Sequence, residues 1–194
     1  MVKSLILCEG GDDVGFLNKF CKYLKLDKKI VIQKISKESL NSAKSAFFKE
    51  TSYIAIRQKI KIGQYDKILF IVDADYIEND KIYGGYESTK NELEKIILKL
   101  DFDKNKTNYF IMCDPVKKTG NLEHLILSTI DNPKKNCIIE LLDCVSQMEV
   151  HSNKKIVLSS YEAIFKESPY NLTHSNFRKL KTLLENLGAT DEKI

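Results

Sequence analysis

Several familiar signatures are missing from this sequence, and each absence removes a class of function. No apolar run approaches the roughly 20 residues a membrane span needs; the longest, such as Ile68 to Val72, are strand-sized. The N-terminus (MVKSLILCEGG) has an apolar stretch of only about five residues, against roughly 7–15 in a signal peptide, and acids follow at once. A first strand is the better reading. The five cysteines, Cys8, Cys21, Cys113, Cys137 and Cys144, are odd in number and form no CxxC pair, which argues against a disulfide framework or a zinc site. Reduced thiols in a cytoplasmic protein are expected instead. His124, His151 and His174 are scattered with no HxxxH spacing. No GxxxxGK[ST] loop, GxSxG elbow or dinucleotide fingerprint occurs. No internal repeat or low-complexity tract is visible.

What is there is ordinary in bulk. The 194 residues are 43% hydrophobic and 30% charged, enough for a folded domain with a real core. The net charge of +4 permits a polyanionic partner without requiring one.

Alternating patterns give the fold class. Lys3–Cys8 (KSLILC) is a compact apolar strand ended by Glu9-Gly10-Gly11. Asp12 and Asp13 open a helix whose Val14, Leu17, Cys21 and Leu24 share a face. Lys29–Ile35 is β-branched and reads as a second strand. Residues 37–63 are mixed, one broken helix or two, with Gly63 as a stop. Lys67–Val72 is the clearest strand, and its all-apolar character implies cover on both faces. Asp73-Ala74-Asp75 follows directly, then a polar loop over 76–85. The pattern predicts a helix over Tyr86–Leu100, a fourth strand over Thr107–Cys113, a helix over Leu122–Ile130, and further helices near Lys134–Met148, Ser160–Glu167 and Asn176–Leu187. The order β-α-β-α-β-α-β then helices predicts an α/β protein. Its mostly parallel four-stranded sheet would be flanked by helices and followed by a C-terminal helical extension. The expected division is residues 1–130 for the sheet domain and 131–194 for helices packed on it.

In such sheets ligands gather beyond the carboxyl ends of the strands. Glu9, Asp73 and Asp114 each fall just past a strand end. The glycines after Glu9 let the chain turn and leave room for a close-approaching group. Asp73 and Asp75, two apart, can point roughly the same way. If strands one and three are neighbours, three carboxylates converge, and a hard divalent cation such as Mg²⁺ or Mn²⁺ would relieve their repulsion. The plainer alternative is that such aspartates cap a turn or helix.

Cys8-Glu9-Gly10-Gly11-Asp12-Asp13 resembles the EGxxD motif of the Toprim (topoisomerase–primase) domain, and Ile71-Val72-Asp73-Ala74-Asp75 resembles its DxD motif. Residues 1–130 follow the same strand and helix order. Small stand-alone members and the nuclease half of OLD-family proteins look most similar. Gly120-Asn121-Leu122-Glu123-His124-Leu125 resembles their G-x-L-E-x-L element. The resemblance implies a Mg²⁺-dependent nuclease, with Mn²⁺ able to substitute. Glu9 would be ligand or general acid/base, and Asp73 and Asp75 would hold the principal ion. Asp13 and Glu123 could help hold a second. Asp13 reads equally as a first-turn helix acid and Glu123 as a surface acid. Gly10, Lys117 and Lys118 would face phosphate, although two solvated lysines are as good a reading. Asp114, before Pro115, equally shapes a turn. The expected partners are nucleic acid and, since OLD proteins join this domain to an ATPase, a separately encoded ATPase. An oligomer is compatible with this, and a membrane is not expected. Covalent topoisomerase or primase activity would need domains that this sequence does not supply. The rival expectation is a non-catalytic nucleotide- or nucleic-acid-binding subunit of a defence or repair complex.

Overall fold

The computed structural model describes residues 3–35, 43–146, 154–166 and 168–189. The first strand, β1 (Lys3–Cys8), leads into α1 (Gly11–Tyr23) and returns as β2 (Ile30–Lys34). A short helix α2 (Ala43–Phe47), a 3₁₀ turn (Glu50–Tyr53) and α3 (Ile54–Lys61) precede β3 (Tyr65–Asp73). Then come α4 (Tyr86–Leu100), β4 (Thr107–Met112) and α5 (Leu122–Leu127). The chain finishes with α6 (Asn132–Ser146), α7 (Lys154–Phe165), a 3₁₀ turn (Ser175–Phe177) and α8 (Arg178–Gly188). The mixed stretch after β2 is thus a helix, a turn and a helix, with residues 36–42 outside the described ones. The seventh helix begins six residues before the expected Ser160.

The four strands are all parallel, in the order β2-β1-β3-β4. The protein is therefore α/β, with a parallel sheet flanked by helices and helices at its C-terminal end. Strand residues alternate between faces, so two apolar layers form. One face carries Ile6, Cys8, Leu69, Ile71, Phe110 and Met112 against α1, α5 and the last helices. The other carries Leu5, Leu7, Phe70, Val72 and Ile111 against α2 to α4. This double cover explains why β1 and β3 read as unbroken apolar runs.

The C-terminal helices share the first of these layers. Ile138, Val157, Leu180 and Leu184 sit in one cluster with Ile6 and Leu69. The Ser4 hydroxyl donates to the Leu187 carbonyl at 2.7 Å, tying the end of α8 to the start of β1. Gly188 packs closely on Leu26, whose Cδ2 lies 2.6 Å from where a Cβ would stand. Among the described residues, no helix is long and apolar enough to cross a membrane. All five cysteines are free thiols, with Cys8, Cys21 and Cys113 buried.

Candidate metal centre

The register of the sheet brings the acids together. β1 ends with Cys8 opposite Ile71, and β3 runs two residues further to Asp73. Glu9 therefore leaves β1 beside the last residues of β3, on the same edge as Asp73 and Asp75. Residues about sixty positions apart in the chain meet because a parallel crossover puts both strand ends on one side.

Asp73 lies at the centre of the group. Burial first, then the charges of Asp13, Glu9, Asp75 and Glu123, push its carboxyl well above the ordinary aspartate range. One of its oxygens, Oδ1, accepts the Leu122 backbone N–H at 3.0 Å, which fixes the carboxylate against the start of α5. Burial and the nearby Asp75 raise Glu9 from 4.5 to about 7; Lys44 and a backbone hydrogen bond at Asp73 pull the other way. Glu9 Oε2 is buried with no hydrogen-bond partner, the one such side-chain atom among the described residues. An orphaned buried carboxylate oxygen is costly unless something else fills its lone pairs. Asp13 is 4% exposed, and burial together with Glu123, Asp12 and Asp75 raises it to about 6 against the opposing Gly10 amide. Glu123 is buried as well.

Asp75 differs from these acids. Lys44, only 3% exposed, reaches from α2 and donates to Asp75 Oδ2 at 2.9 Å, Ala74 O at 2.9 Å and Asp73 O at 2.7 Å. All three ammonium protons have acceptors at the tip of β3. The Gly85 N–H (2.9 Å) and the Thr89 hydroxyl (3.3 Å) also donate to the Ala74 carbonyl. Asp75 itself is left-handed, φ 57°, a region where aspartate is one of the tolerated residues. Its backbone exchanges two hydrogen bonds with Gly120, at 2.7 and 3.1 Å. Gly120, φ 89°, admits no side chain, because a Cβ there would stand 2.5 Å from the His124 ring. That ring is held by Tyr76 Oη at 2.7 Å and Asn121 Oδ1 at 2.6 Å.

The predicted acids Glu9, Asp13, Asp73, Asp75 and Glu123 thus share one electrostatic cluster. Of the predicted phosphate contacts, Gly10 adjoins this cluster and the two lysines belong to the loop before Gly120. The Gly10 N–H is donated to Asp13 Oδ2 at 2.8 Å. Lys117 is exposed, and the Lys118 ammonium lies 5.3 Å over the Tyr86 ring. Asp114 shapes a turn: its Oδ1 accepts the N–H groups of Val116 and Lys117 at 2.8 and 3.0 Å. Two participants escaped sequence reasoning. Lys44 had one faint signal, sharing a helical face with Phe47 one turn later. The Tyr76–His124–Asn121 chain had none beyond the proximity of His124 to Glu123.

Among the described residues, no three His, Cys, Asp or Glu side chains are placed to hold a metal ion as they stand. The donor set still fits a hard divalent cation of the Mg²⁺ type, which takes one or two carboxylates and completes its shell with water and phosphate oxygens. Glu9, with its unpartnered oxygen, and Asp73 supply such a pair. Residues 3–186 match a family model described as a protein of unknown function, DUF3226. The chain belongs to this family. No curated protein and no solved structure matches it. The strand-end acids, the Lys44 tether and the Gly120 bridge all lie within the part of the chain that DUF3226 covers.

Proposed function

We propose that this protein is a Mg²⁺-dependent phosphodiester hydrolase acting on nucleic acid, a Toprim-type nuclease with its centre at Glu9 and Asp73. The unpartnered, buried Oε2 of Glu9 carries this reading. Around it, burial and neighbouring carboxylates raise Glu9, Asp13 and Asp73 above their ordinary ranges, while the Lys44 ammonium is bound to Asp75. When bound, the metal would supply charge neutralisation at phosphate and a more acidic water.

The chain's own residues divide the remaining work. Glu9 and Asp73 would hold the ion, with Asp13 and Glu123 beside them. Glu9, poised at about 7, can take or give a proton near neutral pH. The Leu122 amide keeps Asp73 in one orientation. Lys44 holds the turn that presents both acids. Apolar walls on both faces of the sheet end keep water from the backs of these groups. The five free thiols support a reducing, cytoplasmic setting, and a separately encoded ATPase partner belongs to the same proposal.

Purified full-length protein with Mg²⁺ or Mn²⁺ and labelled single- and double-stranded substrates tests the reading. Cleavage that is lost in Asp73→Asn and in EDTA supports it. Absence of divalent binding by calorimetry refutes it. A second reading, a non-catalytic nucleotide- or nucleic-acid-binding subunit, is favoured by one observation. Lys44 already neutralises Asp75, and among the described residues no triad of acids is set around a common ion. Divalent binding without cleavage of any substrate would select it.

A further inference from the structure

The acidic centre is not the roomiest concavity on this edge of the molecule. A cavity of about 580 Å³ opens on the outer side of β4, the edge strand, within the usual size range of ligand pockets. Its floor is Phe110 and Ile111 near the end of β4 with Cys113 just past it, and Tyr86 at the start of α4 forms one wall. Arg178 and Lys179, the first residues of α8, form the other, and Lys118 stands at the rim. Among the described residues, no aspartate or glutamate lines it. Lys118, Arg178 and Lys179 are exposed, and among the described residues none has a carboxylate at ion-pair distance. Lys118 also holds a left-handed backbone, φ 58°, which places its side chain toward Tyr86. The turn that it closes holds that conformation: the Lys118 N–H donates to the Asp114 carbonyl and the Asp114 N–H to the Thr119 carbonyl, both at 2.9 Å.

Position links the cavity to the acids. Met112 pairs with Asp73 across β3 and β4, so the floor at Cys113 lies about one strand spacing, roughly 4.8 Å, from the strand that carries the metal-centre aspartate. The loop bearing Lys118 ends at Gly120, which is bonded to Asp75.

Three cations, an aromatic face and no acids form the recognition chemistry of a phosphate-linked base. We propose that this cavity binds single-stranded nucleic acid. One unpaired base would pack on Tyr86, with flanking phosphates on Arg178, Lys179 and Lys118. The Lys118 ammonium, now over the ring, would pass to phosphate as the base arrives. A strand-adding peptide is the competing occupant of a free β-edge, but it gives no reason for three unpaired cations around an acid-free wall. The proposal names the substrate form for the centre described above and rests on the nuclease reading for its biological sense.

Binding is measured in EDTA, where no cleavage occurs, by fluorescence anisotropy of a short labelled oligonucleotide, single- or double-stranded, over a range of salt. The expected result is preference for the single strand. Arg178→Glu with Lys179→Glu should weaken binding by tenfold or more and lower the salt slope by about 2. Tyr86→Ala should weaken it about tenfold and leave the slope unchanged. Charge reversal at exposed Lys28 and Lys29, beside the opposite edge strand β2, should change affinity less than twofold. Melting curves establish that each variant folds, and Arg178→Gln with Lys179→Gln repeats the test without new negative charge. The idea is overturned by equal losses from the two charge reversals, by a tighter duplex complex, or by wild-type affinity in Tyr86→Ala. Groove variants that bind and cut like wild type would refute this site and leave the nuclease reading standing. Single-strand binding lost in the groove variants, in a protein that takes up no Mn²⁺, would do the reverse.

Discussion

Two carboxylates of one cluster, Asp75 and Glu9, have opposite arrangements. Asp75 has its cation built in: the Lys44 ammonium, buried beneath it and bonded at 2.9 Å. Glu9 has a buried oxygen that nothing in the described chain satisfies. The fold has thus neutralised one end of the acidic motif and left an oxygen of the other without a hydrogen bond. A permanent internal cation stabilises the turn whatever the solution contains. On the proposed reading, the unpartnered Glu9 oxygen would make the other end respond to ions in solution. On this division Asp75 is chiefly a partner for Lys44, and the proposed ion binding would centre on Glu9 and Asp73.

The largest effect should come from breaking the built-in pair. Lys44→Met leaves the Asp75 carboxylate and the Asp73 and Ala74 carbonyls without that donor, and should destabilise the protein by about 3 kcal/mol in chemical denaturation. The added change Asp75→Asn should recover part of that loss, and a strictly additive double mutant would sink the pairing argument. A smaller effect is expected at Gly120. Gly120→Ala meets both the left-handed backbone and the His124 ring, and should cost about 2 kcal/mol, read as a lowered melting temperature.

Glu9→Gln should act in the opposite direction. In EDTA near pH 8 it removes an uncompensated buried charge and should stabilise by about 1 kcal/mol, while abolishing the melting-temperature rise expected of the wild type with Mn²⁺. A destabilised E9Q that still gains from Mn²⁺ would contradict the contrast with Asp75.

The last effect is on pH. Glu9 is raised from 4.5 to about 7, and Asp13 from 3.8 to about 6. Between the two values each folded carboxyl keeps a proton that the unfolded chain has lost. Stability from these groups therefore falls as pH rises through about 4 to 7 and is level above that. Melting curves in EDTA should decline across that window, and Mn²⁺ should flatten the decline by favouring the ionised acids.

Much of this was legible from the residues. Lys3–Cys8, Tyr86–Leu100 and the core of β3 declare themselves because doubly covered strands and amphipathic helices leave strong patterns. The meeting of Glu9 with Asp73 and Asp75 followed from strand order, since parallel connections put strand ends on one edge. Lys44 was hidden for a physical reason. An inward lysine is recognisable only through the three acceptors it finds, and these lie about thirty positions away in the chain. The start of α7 was obscured by Lys154 and Lys155, whose charges precede its apolar face. The cavity beside β4 was equally invisible, because Tyr86, Lys118 and Arg178 come from three separate elements.

The bond from Ser4 to the Leu187 carbonyl has a consequence at the far end of the same helix. Its 11 residues span about 16 Å, from the groove beside β4 down to the amino end of β1. α8 therefore works as a ruler: anchored at its foot, it sets the height and azimuth of Arg178 and Lys179 at its head. One alanine inserted midway would turn those cations by about 100° and raise them about 1.5 Å, with every residue of the groove still in the sequence.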